Sequence, residues 1–153
     1  MRRSYFCGRI THQQVVKRRK RTINTLDRTT KRILVVEDEP GIANLCQRVL
    51  TGKGLQVEIA VNGTLAQDMI EERQYHICLI DIRTPKMNGT ELYQWLQKKY
   101  PQLANQVVFT TGNVLDEKTM PFIEQSGRPF LPKPFTPNEL TAIVKEALKQ
   151  LEK

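Results

Sequence analysis

The segment HICLIDIRTPKMNG, residues 76–89, decides the fold prediction. Its residues 77–80 (ICLI) form an unbroken apolar run, which is typical of a strand buried on both faces of a sheet. Asp81 follows directly, and a loop then leads to Gly89. Because a buried carboxylate is costly without a partner, Asp81 either caps the chain locally, reacts, or binds a cation.

Strands and helices are predicted to alternate on both sides of this segment. Apolar or alternating residues predict four more strands, at 33–36, 57–61, 107–111 and 129–131. Helical spacing of apolar residues predicts five helices, at 40–51, 64–73, 89–99, 116–125 and after a cap at Thr136. Pro121 should give the fourth helix a late start or a kink. This alternation indicates a parallel sheet with helices on both faces.

The composition restricts the class of protein. A chain of 153 residues, 39 % of them hydrophobic, suits one domain with a true core. No apolar run approaches the roughly 20 residues that a transmembrane helix needs, and no secretory apolar region opens the chain. Cys7, Cys46 and Cys78 are odd in number and far apart, which argues against a disulfide framework or a zinc site. We therefore expect a cytoplasmic protein with Cys46 and Cys78 in its core.

The net charge of +8 is concentrated at the N-terminus. Residues 1–32 hold 11 of the 24 basic residues but only one of the 16 acids, Asp27. The run KRRKR at 17–21 is a block of like charge with little apolar support. We therefore predict a basic, disordered tail over residues 1–30 and a globular domain over residues 31–153. The tail is a solubilising leader or the product of a start codon assigned too far upstream, a segment for weak contact with nucleic acid or an anionic membrane, or a targeting leader.

Polar side chains follow four of the predicted strands where each strand ends. Glu37 and Asp38 follow the first strand, Asp81 the third, Thr111 the fourth and Lys133 the fifth. Because parallel strands place their carboxyl ends at one edge of a sheet, we expect these residues to cluster there. Each has a local explanation, such as acids at a helix start, but together those explanations require several independent coincidences.

Such a cluster suits a metal ion and phosphoryl transfer. Two carboxylates about 4 Å apart repel by roughly 4 kcal/mol at an effective dielectric of about 20, so three of them need a cation. Oxygen ligands without His or Cys favour Mg²⁺. A metal, a lysine and a hydroxyl can together neutralise a phosphoryl group while a carboxylate attacks it.

With these motifs the chain resembles the receiver domain of two-component response regulators. The resemblance rests on ILVVEDEP (33–40), LIDIRTPKMNG (79–89), VVFTTG (107–112) and FLPKPF (130–135), which occur in this order. It implies a flavodoxin-like, doubly wound α/β fold with five parallel strands in the order 2-1-3-4-5 and five helices.

The resemblance also implies a role for each clustered residue. Asp81 would be the phosphoacceptor, and Thr111 and Lys133 would contact the phosphoryl group. The ligands of Mg²⁺ would be Glu37, Asp38, Asp81 and the backbone carbonyl of Arg83.

Three further positions near the site have expected roles. Thr111 and Phe130 would form the switch that reports phosphorylation. Arg83 and Asn113 flank the site and would tune hydrolysis of the phosphate, because side chains there can cover or open the path of the attacking water. The Arg83 side chain would shield the phosphoryl group, unless it points into solvent and only its backbone matters.

The expected function is that of a single-domain response regulator and not of an enzyme beyond its own phosphorylation and dephosphorylation. A histidine kinase or a histidine phosphotransfer protein would supply the phosphoryl group in a Mg²⁺-dependent step. The phosphorylated domain would then bind an unknown downstream protein. No output domain follows before Lys153, so the receiver is expected to act alone.

Three other interpretations were weighed. A phosphatase of the haloacid dehalogenase type needs an acid two residues after the nucleophile, where this chain has Arg83. A binding module with the receiver fold but without phosphorylation usually lacks an acid, the Asp or the Lys, and none is lost here. A nucleic-acid or anionic-surface binder would act through the basic tail.

Overall fold

The computed structural model describes residues 30–152, which contain a five-stranded parallel sheet. Its strands are β1 (Arg32–Val36), β2 (Gln56–Ala60), β3 (Ile77–Asp81), β4 (Val107–Thr111) and β5 (Phe130–Pro132). They lie in the order β2-β1-β3-β4-β5, and every neighbouring pair is parallel. The predicted flavodoxin-like fold and its strand order are therefore confirmed.

The described part contains six helices, one more than the five predicted. They are α1 (Pro40–Thr51), α2 (Gly63–Glu72), α3 (Gly89–Lys99), α4 (Pro101–Ala104), α5 (Thr119–Ser126) and α6 (Pro137–Leu151). The unpredicted helix, α4, is a single turn that begins at Pro101. A proline ends a preceding helix, but its fixed φ also suits the first position of the next one.

Helix α5 begins three residues later than predicted, at Thr119. Pro121 then falls in the first turn, where its missing N–H would have had no intrahelical partner. The late start expected from this proline is confirmed. At α6 the predicted cap is also present, since Thr136 Oγ1 accepts from the backbone N–H of Glu139 at 3.2 Å.

The core consists of two apolar layers, one on each face of the sheet. Ile33 and Val35 of β1 pack towards α1 and α6, whereas Leu34 and Val36 face α2, α3 and α5. Every residue of the central strands β3 and β4 is buried. Because helices cover both faces, a ligand site is expected at the carboxyl ends of the strands.

Two of the cysteines behave as the composition predicts. Cys46 and Cys78 are buried free thiols in the core. Burial raises the pKa of Cys46 to about 11 and also raises the pKa of Cys78, so neither thiol is a nucleophile in the folded domain.

The predicted N-terminal tail falls, up to residue 29, outside the described residues, as do its KRRKR run and Cys7. Within residues 30–152, no helix is long and apolar enough to cross a membrane.

Candidate functional site

Asp81 occupies the last position of β3, where both of its carboxylate oxygens have partners. Oδ1 accepts a hydrogen bond from the backbone N–H of Arg83 at 3.0 Å, and Oδ2 accepts one from Lys133 Nζ at 2.8 Å. The residue is only 4 % exposed. Its strand neighbours place it beside Thr110 of β4, while Ile80 pairs with Val36 of β1. Asp81 is therefore a buried but fully partnered carboxylate, held between the ends of adjacent strands.

Lys133 provides the positive charge at the centre of the cluster. Its Nζ lies 2.6 Å from Glu37 Oε2, 2.8 Å from Asp81 Oδ2 and 3.5 Å from Glu39 Oε1. The backbone N–H of Lys133 donates to the Thr111 carbonyl at 2.8 Å, which ties the end of β5 to the end of β4. The ammonium thus holds acids from the ends of β1 and β3 together.

Burial and charge act against each other at this cluster. Burial raises the pKa of Glu37 above its ordinary value, although the hydrogen bond from Lys133 works in the opposite direction. Burial also lowers the pKa of Lys133, but the hydrogen bonds to Asp81 and Glu37 outweigh it and the pKa lies above its ordinary value. Lys133 therefore stays protonated at physiological pH.

Three carboxylates at this edge form a donor set suited to a hard divalent cation. One oxygen from each of Glu37, Asp38 and Asp81 lies within 4.8 Å of the others. Glu37 is oriented by the backbone N–H of Glu39, which donates to its Oε1 at 3.1 Å, and Asp38 is exposed. Oxygen donors of this kind favour Mg²⁺ over softer metals. The three carboxylates therefore fit Mg²⁺. That the backbone carbonyl of Arg83 is a further ligand stays a prediction.

The hydroxyl predicted for the site is buried at the end of β4. Thr111 is fully buried, and its Oγ1 accepts from the backbone N–H of Asn113 at 3.2 Å. Phe130 opens the neighbouring strand, in register with Phe109, and packs half-buried against the core. The structure therefore brings Thr111 to the same sheet edge as Asp81 and puts Phe130 one strand away.

The loop after Asp81 closes tightly onto the strand that precedes it. The Gly89 N–H donates to the Ile82 carbonyl at 2.9 Å. A Cβ atom on Gly89 would lie 2.6 Å from the Asp81 carbonyl oxygen and 2.7 Å from Ile82 Cα. Only a glycine lets α3 begin this close to the end of β3. The close approach of the two backbones therefore explains why the loop after β3 ends in glycine.

Two acidic residues at this edge were not predicted as part of the site. Glu39 lies beside Lys133, and its position in the run EDE directly after β1 was a usable signal. Asp116 pairs with the Arg83 guanidinium at 2.9 Å, a contact between loops that no local sequence pattern indicates. The Arg83 side chain, predicted to tune hydrolysis, is thus held by a carboxylate in this structure.

The open parallel sheet carries acids, a hydroxyl and a lysine at its carboxyl edge, as the resemblance to receiver domains implies. Residues 33–145 match the response regulator receiver domain family. The chain belongs to this family.

Individual relatives support the same assignment. The chain is 34 % identical over 120 residues to response regulator Rre1 of Synechocystis sp., covering 76 % of this chain and 51 % of Rre1. It therefore spans about half the length of that relative.

Two solved structures show the same fold. A CheY-like response regulator receiver domain protein from Methanospirillum hungatei is 30 % identical, with a TM-score of 0.73, and the match covers 81 % of this chain and 98 % of that one. The receiver domain of a signal transduction histidine kinase from Syntrophus aciditrophicus is 27 % identical, with a TM-score of 0.74, over 81 % of this chain and 94 % of that one.

Proposed function

We propose that this receiver domain accepts a phosphoryl group on Asp81 from a phosphohistidine donor. The observation that carries the proposal is the setting of Asp81, a buried carboxylate with an ammonium 2.8 Å from one oxygen and two further acids within metal-ligand distance. That combination is what an attacking carboxylate requires.

The proposed step is an in-line displacement at phosphorus. A carboxylate oxygen of Asp81 forms a bond to phosphorus while the bond to the imidazole nitrogen of the donor breaks. Lys133 would exchange part of its contact with Asp81 for a phosphoryl oxygen, and the Thr111 hydroxyl would donate to another. Lys133 contacts Asp81 directly, and Thr111 ends the neighbouring strand at the same edge of the sheet.

Glu37, Asp38, Asp81 and the Arg83 carbonyl would hold Mg²⁺ at this edge. The ion supplies charge neutralisation that neither Lys133 nor Thr111 can provide alone, since a phosphoryl group carries nearly two negative charges. Exposed Asp38 leaves this side of the site open to an incoming ion and donor.

The partners proposed for this chemistry are a histidine kinase or a histidine phosphotransfer protein, and a downstream protein that binds the phosphorylated form. The matched structures include a receiver from a histidine kinase and a CheY-like receiver protein. Because the chain spans about half of Rre1, the proposal concerns the receiver domain and not a whole relative.

Phosphorylation can be tested with a small donor. Incubation with acetyl phosphate and Mg²⁺ should add one phosphate that is labile to both acid and base, as an acyl phosphate is. Asp81→Asn should remove the label, and the exposed α2 variant Asp68→Asn should label like the native chain. Equal labelling of Asp81→Asn and the native chain would refute the assignment.

We expect phosphorylation to be reported through Thr111 and Phe130. If the phosphoryl group draws the Thr111 hydroxyl towards it, the half-buried Phe130 ring gains space and a pre-existing equilibrium shifts. Adding beryllofluoride and Mg²⁺ should therefore move amide resonances mainly within residues 110–135, and not in Asp81→Asn. Shifts limited to the metal ligands would contradict this switch.

A further inference from the structure

One ion pair links the two loops that border Asp81. The Arg83 guanidinium donates through Nη2 to Asp116 Oδ2 at 2.9 Å. Arg83 lies two residues after Asp81, whereas Asp116 lies in the loop between β4 and α5. The pair therefore connects the end of β3 with the start of α5, and neither residue belongs to the carboxylate cluster around Lys133.

Asp116 also organises the turn from which α5 begins. Its Oδ1 accepts from the backbone N–H of Lys118, and its carbonyl accepts from that of Thr119, both at 3.1 Å. The Asp116 N–H donates to the Asn113 carbonyl at 3.4 Å. If Asp116 changes its binding partner, the backbone at the start of α5 therefore changes with it.

Arg83 is tied to the proposed phosphoacceptor as well. Its backbone N–H donates to Asp81 Oδ1 at 3.0 Å, while its side chain reaches Asp116. A cavity of about 240 Å³ adjoins this pair, bordered also by Asn88 and Lys118. The guanidinium therefore borders open space as well as Asp116.

The pair is weak enough to exchange. The Arg83 side chain is 57 % exposed, and ion pairs exposed to solvent contribute little to stability. A phosphoryl group on Asp81 would carry about −1.5 to −2 charges, against one on the Asp116 carboxylate. It also matches the planar fork of a guanidinium, which binds phosphoryl oxygens in a bidentate manner.

We infer that Asp116 is a positioning residue that holds the Arg83 guanidinium against the start of α5 and competes for it with the phosphoryl group on Asp81. The inference rests on the proposed phosphorylation of Asp81. Arg83 contacts the phosphoryl group only when it leaves Asp116. Asp116 therefore limits how far Arg83 shields the phosphate from water. When the ion pair with Arg83 breaks, the turn that precedes α5 changes as well.

Phosphate lifetime measures this competition directly. The native chain, Arg83→Ala, Asp116→Asn and the double variant are labelled with acetyl phosphate and Mg²⁺, freed of donor, and followed as the label decays. Asparagine keeps an oxygen for the Lys118 N–H but loses the charge that holds Arg83. We expect Asp116→Asn to slow decay about two- to fivefold and Arg83→Ala to hasten it by a similar factor. The double variant should decay like Arg83→Ala.

If Asp116 acts by positioning Arg83, Asp116→Asn should slow the decay of the label only in a chain that still has Arg83. A merely structural role would give the same change in both chains. Arg73→Ala is a matched control, because it removes another exposed arginine–carboxylate pair, which joins the end of α2 to Glu58 of β2 at 2.8 Å. It should leave the decay unchanged. In addition, beryllofluoride should shift the Lys118 and Thr119 amides in the native chain and much less in Arg83→Ala.

Two results would overturn the positioning role of Asp116, and a third would overturn the proposed function. The positioning role alone would be overturned if the phosphate label lasted equally long in Asp116→Asn and the native chain. It would also be overturned if Asp116→Asn changed this lifetime equally with and without Arg83. Failure of the native chain to label would overturn the proposed function, and this inference with it.

Discussion

Replacing Lys133 by methionine is expected to destabilise the domain and nearly abolish phosphoryl transfer. The ammonium is the positive charge that contacts two buried carboxylates, at 2.6 Å from Glu37 and 2.8 Å from Asp81. Breaking a buried ion pair by removing one partner costs about 3–5 kcal/mol, because the remaining charge stays buried. Loss of one positioned donor to a transition state costs about 10²–10³-fold in rate.

The ionic origin of that effect can be tested by adding a cation. Without divalent ions, urea unfolding of Lys133→Met should show a loss of about 3 kcal/mol, and Mg²⁺ should restore more stability to the variant than to the native chain. Labelling by acetyl phosphate should stay slow even with Mg²⁺. Lys145→Met, on the exposed side of α6, is the control and should match the native chain in both measurements. A Lys133→Met domain as stable as the native one without divalent ions would refute this view of the cluster.

Gly89→Ala is expected to disturb the site through the backbone. The added Cβ would lie 2.6 Å from the Asp81 carbonyl oxygen and 2.7 Å from Ile82 Cα, and neither atom can move as a flexible side chain does. Overpacking of this kind costs about 1–3 kcal/mol. Because the carboxylate is carried by the strand that must shift, labelling of Asp81 should also slow by about tenfold or more.

Gly41→Ala provides the matched control for this backbone effect. Gly41 lies at the start of α1, close to the acidic run, but a Cβ there meets nothing within 4 Å. Alanine should therefore be neutral or stabilise the helix by up to about 1 kcal/mol. If Gly89→Ala and Gly41→Ala had the same unfolding midpoint and labelling rate, close packing at Gly89 would not explain the loop.

Much of the fold could be predicted because its signals are local. Apolar runs such as 77–80 and 107–109 marked strands buried on both faces, and Thr136 with Glu139 marked a helix start. Because parallel strands end at the same side of a sheet, the sequence also predicts that Glu37, Asp81 and Lys133 lie together. Strand order came from the resemblance of whole motifs and not from periodicity.

The parts that escaped prediction depend on contacts between distant segments. Helix α4 is not predicted from the sequence, because Pro101 indicates the end of α3 and a proline suits the start of a helix equally well. Asp116 reaches Arg83 across 33 residues of sequence, and the turn that carries it has no periodic pattern. Local patterns predict elements and strand ends, whereas pairing between loops requires their geometry.

The central claim, that Asp81 carries the phosphoryl group, is tested most directly by locating the modified residue. An aspartyl phosphate is reduced by borohydride to homoserine, which tandem mass spectrometry assigns to one position. After incubation with acetyl phosphate and Mg²⁺, homoserine should be found at position 81, and no other acid, including Glu37, Asp38 and Asp116, should be reduced to its alcohol. Reduction at another residue, or none in a fully labelled chain, would contradict the account.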